Sequence, residues 1–165
     1  MNHRPNTFLQ YLFVALLGVL LHFTYEWSQN NTFVGFFSSV NESTWEHLKL
    51  LFFPMLLLTI WNVWKSKEKD PYFLPARTAG ILAGMGFIVT AYYTITGIIG
   101  KNVDWINVVI FLLGVAFTFW IEKKVYKKKL FDGILFPVII LTGLLILFIF
   151  FTIIPPEIGL FKDRS

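Results

Sequence analysis

The chain has 165 residues, 56% of them hydrophobic and 15% charged, with a formal net charge of +4. A mean hydropathy of +0.64 represents more apolar surface than a soluble domain of this length can hide. Cysteine is absent, which removes disulfide and thiolate chemistry and limits any metal site to imidazole, carboxylate and carbonyl donors. No nucleic-acid partner is expected, because the basic residues form short runs without a readout motif.

Crossing about 30 Å of hydrocarbon takes about 20 helical residues. Five segments qualify, at about 7–27, 44–64, 77–99, 103–121 and 133–154. They predict an all-α integral membrane protein, a single five-helix transmembrane bundle with no linker between spans. Segment 7–27 is too long for a cleaved signal peptide and lacks a small-residue cleavage site. Near its end stand His22 and Glu26, four residues apart and therefore on one helix face. Residues 33–37 are apolar but too short to cross, so they lie in the interface or re-enter.

The second span opens with Asn41-Glu42-Ser43-Thr44-Trp45-Glu46-His47-Leu48-Lys49. Ser43 three residues before Glu46 has the spacing of a capping box, and Glu46 can pair with Lys49 one turn on. Trp27 and Trp45 are expected as interfacial anchors. Pro54 frees the Leu50 carbonyl and kinks the helix. The third span carries Gly80 and Gly84, a close-packing pair, and ends on Tyr92-Tyr93-Thr94. The fourth opens on Asp104 and Trp105 and repeats the small-residue spacing at Gly114 and Thr118. These small residues seat neighbouring helices, with a homo-oligomer through Gly80 and Gly84 as the alternative. Pro137 costs little in the first turns of the fifth span, and Pro155-Pro156 end it. The apolar Leu160 and Phe161 beyond predict a tail that folds back and brings Asp163 to the same end, against a frayed terminus.

Orientation follows from the loop cations. Arg4, Lys65, Lys67, Lys69, Arg77, Lys123, Lys124, Lys127, Lys128 and Lys129 share one side; Lys101, Lys162 and Arg164 share the other, with Lys49 just inside a span there. The excess places the N-terminus in the cytoplasm and the C-terminus outside, in a cell membrane. The lysine runs serve as a topology signal and can also meet anionic lipid headgroups.

The ionisable residues of the apolar segments thus gather near the outer face, where charge is costly and marks a site or a buried pair. His22, Glu26, Glu46 and His47 are the candidate catalytic residues, an imidazole acting as base and a carboxylate as partner or acid. The same four are the candidate ligands of a divalent metal such as zinc. Tyr25, Glu42, Lys49, Tyr93, Thr94, Asp104 and Asp163 complete the candidate ligand-binding set. The leading expectation is an outer-leaflet site that binds, and in an enzyme would transform, a lipidic or amphipathic molecule. One alternative is a structural or partner-binding subunit whose polar cluster only joins helices. Small-ion or proton transport fits less well, because the inner halves of the spans offer little beyond Thr59, Asn62, Thr118 and Glu122. Asn30-Asn31-Thr32 and Asn41-Glu42-Ser43 match the glycosylation pattern, as polar stretches do by chance.

His22-Phe23-Thr24-Tyr25-Glu26-Trp27, the segment 41–49, Tyr92-Tyr93-Thr94 and Pro155-Pro156-Glu157-Ile158-Gly159-Leu160-Phe161-Lys162-Asp163 resemble a family of small bacterial multi-pass membrane proteins catalogued as a domain of unknown function. The similarity spans nearly the whole chain, and segment 41–49 is its most distinctive part. The resemblance implies a bacterial protein and transfers no activity.

Overall fold

The structure, a computed structural model, describes residues 6–65 and 70–163. Its long helices are α1 (Thr7–Trp27), α3 (Thr44–Lys65), α4 (Phe73–Ile99), α5 (Asp104–Lys128) and α6 (Leu135–Ile153). All five are long and apolar enough to cross a membrane. A single-turn helix, α2 (Thr32–Gly35), lies between α1 and α3, and a 3-10 turn, Gly159–Phe161, follows α6. No strand occurs among the described residues.

α3 is the central helix: 56% of its apolar window is buried, against 28% or less in the others. It packs on α1, α4 and α6 and carries Leu51, Phe52, Met55 and Leu58 into the core. The outer helices turn Phe8, Leu16, Leu113, Ile139 and Ile146 outward, as a lipid-facing surface requires. Exposed tryptophans ring both ends, Trp27 and Trp105 at one and Trp61, Trp64 and Trp120 at the other, the placement of interfacial anchors. Trp45 departs from the expected anchor role. It is 9% exposed and lies among Phe148, Phe151 and Phe161, because the returning tail covers it.

Small residues set the closest helix contacts. At Gly80 a Cβ would stand 2.6 Å from the Thr118 carbonyl, and at Gly84 it would overlap the Thr118 hydroxyl. Gly114 abuts Ile88 in the same seam. The pair is filled inside the chain by α5. Pro54 lies inside α3 and cannot bond the Leu50 carbonyl. That carbonyl rests on Gly18 of α1, where a Cβ would stand 2.5 Å from it.

α4 begins four residues before the expected span, since Pro75 fits a helix first turn. Arg77 is consequently not a loop cation: it is 1% exposed inside α4. Its Nε lies 3.1 Å from Glu122 Oε2 of α5, and its Nη2 donates to Gln10 Oε1 of α1 at 3.0 Å. Asn62 of α3 donates to the same oxygen at 3.2 Å, and Phe73 and Phe119 flank the guanidinium. The end of the bundle expected to be poor in polar groups thus has a clasp joining four helices. Arg4, Lys67, Lys69 and Arg164 of the cation count lie outside the described residues.

Candidate functional site

At the opposite end, the segment between α1 and α3 is tied on both sides. Ser38 Oγ accepts from the Tyr25 amide and the Thr24 hydroxyl, both at 3.1 Å, and donates to the Leu21 carbonyl. From α3, the fully buried Lys49 ammonium donates to the carbonyls of Gly35 at 2.8 Å and Ser38 at 3.3 Å. It also reaches Glu46 Oε2 and Thr152 Oγ1, each at 2.6 Å. The same Glu46 oxygen accepts from the Val40 amide at 3.0 Å. Residues 33–37 dip toward the bundle, with Phe37 against Phe53 of α3.

Two asparagines finish the turns. Asn31 Oδ1 accepts from the Phe33 amide and Asn41 Oδ1 from the Ser43 amide, both at 2.9 Å, so these side chains serve the starts of α2 and α3. Ser43 Oγ accepts from the Glu46 amide at 3.3 Å, half of the expected capping box. The reciprocal half is replaced by the Glu46 bond to Val40.

This strapping places Glu42 between the histidines of α1 and α3. Glu42 Oε1 is 3.9 Å from His22 Nε2, and Glu42 Oε2 is 3.4 Å from His47 Nε2. The two imidazole centroids are 5.2 Å apart. One donor atom from each of His22, Glu42 and His47 lies within 4.8 Å of the other two, so the three could hold a metal ion. His47 Nδ1 is 2.9 Å from the Ser43 carbonyl, which fixes a proton there and leaves Nε2 facing Glu42. His22 makes no comparable bond: its Nδ1 is buried without a partner among the described residues. The His47 imidazole beside Glu42 holds the Glu42 carboxyl below the usual carboxylate range, against its partial burial.

Of the four expected metal donors, His22 and His47 converge. Glu46 is bound instead by Lys49 and Val40, so it belongs to the buried base under the site. Glu26 is exposed one turn beyond His22, close enough for its charge to act on that imidazole without joining the donors. Tyr25 packs its ring against Gly35, Tyr92 is buried, Tyr93 half-buried, and Thr94 and Asp104 exposed. The tail does fold back: Phe161 stacks on Trp45 with centroids 4.9 Å apart and meets Phe151 edge-on. The charge of Asp163 is thereby felt at Glu42.

The sequence carried part of this division. Glu46 sits one turn from Lys49 and is claimed by it, whereas Glu42 precedes the helix start and stays free to face α1.

A family described as a family of unknown function (DUF6512) matches residues 6–165. The chain belongs to it. No curated protein and no solved structure matches the chain. The membrane character of this DUF6512 member rests on its five apolar helices, and its two polar ends rest on the geometry above.

Proposed function

We propose that this protein binds a lipidic or amphipathic molecule through a polar head at the His22, Glu42 and His47 trio, on the outer leaflet of a bacterial cell membrane. One contrast carries the reading. The buried charges under the site are satisfied, Lys49 having four acceptors, while the half-exposed His22 ring above them has no hydrogen bond among the described residues. An imidazole nitrogen left without a partner next to a carboxylate is a group that a ligand can engage. The site stands at a bundle end ringed by Trp27 and Trp105, the level of headgroups. An apolar groove of about 440 Å³, lined by Leu21, Thr24, Trp27, Ser28, Phe33, Val34 and Phe37, lies between α1 and residues 33–37 at the same end of the bundle and offers room for an acyl chain. The lysine-bearing loops face the cytoplasm in this reading.

The scaffold alternative is favoured for one part, the Glu46–Lys49 pair, which is wholly buried. The test is lipid retention. Protein in mild detergent is loaded from a total bacterial lipid extract, washed and assayed by mass spectrometry. Wild type retains a lipid species that Glu42→Gln and His22→Ala release while their unfolding temperatures stay near wild type. Equal retention by all three, or loss of folding in both variants, would refute the reading.

A further inference from the structure

The trio has a donor set and a geometry that suit a particular class of cofactor. We propose that His22, Glu42 and His47 ligate a divalent transition-metal ion, with zinc the first candidate, an inference that rests on reading the trio as a binding site. Ligands about 2.1 Å from a tetrahedral zinc stand about 3.4 Å from one another. One Glu42 oxygen stands 3.4 Å from His47 Nε2, the other 3.9 Å from His22 Nε2, and one donor atom from each residue lies within 4.8 Å of the other two, so binding an ion would draw the three side chains inward. Two imidazoles and one carboxylate are a zinc donor set that leaves a fourth position open, and they also suit other first-row ions.

The surroundings support an ion here. A metal-bound imidazole commonly donates its second N–H to a carbonyl, which fixes ring and tautomer. His47 has that arrangement, Nδ1 on the Ser43 carbonyl at 2.9 Å and Nε2 toward Glu42. His22 brings a ring with no hydrogen bond among the described residues, and its Nε2 faces the same carboxylate. Glu42 is held in place by its strapped segment, whose ties do not use its carboxylate. The charges of Glu26 and Asp163 act on His22 and Glu42 and favour a cation over an anion. Glu46 is unavailable to compete, since Lys49 and Val40 hold it.

The experiment uses the full chain, purified without a histidine tag, stripped with chelator and titrated with zinc and with cobalt(II). Wild type takes up one equivalent of zinc and, with cobalt, develops visible bands of four-coordinate geometry. His47→Ala and Glu42→Gln weaken zinc binding at least about tenfold each, and Glu157→Gln, an exposed acid elsewhere, leaves it unchanged. Absence of stoichiometric uptake by wild type, or equal affinity in the variants, overturns the proposal. Where a variant fails to fold, imidazole modification of wild type decides: zinc shields His22 and His47 together if they are ligands, and neither if they are not. Zinc uptake without lipid retention would keep the metal and remove the amphiphile; lipid retained by protein that takes up no zinc would do the reverse.

Discussion

Lys49 and Glu42 lie seven positions apart, yet their surroundings give them opposite roles. Lys49 has no exposure and an ammonium met by two carbonyls, a hydroxyl and the Glu46 carboxylate. Breaking such a pair strands the other charge, which costs about 3–5 kcal/mol, whereas replacing both partners is often nearly neutral. Lys49→Met should therefore lower unfolding stability by that order in detergent, and adding Glu46→Gln should restore much of it. A single variant as stable as wild type would contradict the buried pair. Glu42 is partly open to solvent and its carboxylate meets only the two histidines among the described residues, so Glu42→Gln should cost no more than about 1 kcal/mol of stability. The Glu46–Lys49 pair was legible as an i,i+3 spacing. Arg77 was not legible as a buried ion, because its neighbours in sequence gave no sign that Gln10 and Glu122 would close on it.

Helix packing here is decided by where side chains are missing. Gly84 faces the Thr118 hydroxyl and the Gly114 carbonyl, the latter 3.1 Å from where a Cβ would stand. Gly84→Ala should push α4 off α5 and cost about 1–3 kcal/mol. Gly86, with nothing within 4 Å, should accept alanine without loss, and thermal unfolding of the two variants side by side checks the contrast. The small-residue spacing was readable in the sequence, but its partner was not, since an internal helix and a second copy offer the same packing. At the tail, Pro155-Pro156 announced the end of α6, while its return depended on Trp45 being open to Phe161. Phe161→Ala removes that stack and should make residues beyond α6 markedly quicker to digest with external protease.

Over the whole molecule, two polar layers lie at opposite ends of an apolar core, the trio over its Lys49 base at one and the Arg77 clasp at the other. The chain lacks cysteine, so single reporters need no background removal. With the lysine loops in the cytoplasm, Lys101→Cys should label with an impermeant maleimide in intact cells, and Lys127→Cys only after lysis. The reverse pattern would invert the topology.

Composition and hydropathy determined the membrane class, the number of spans and the end at which the histidines would gather, because hydrocarbon length and the cost of charge act on the chain one segment at a time. The i,i+3 spacing offered Glu46 to Lys49, but only the tertiary structure decided that Glu42 stands between the two histidines. That choice depends on how the 35–43 strap is tied between α1 and α3, and those ties link residues that no periodicity in the sequence relates.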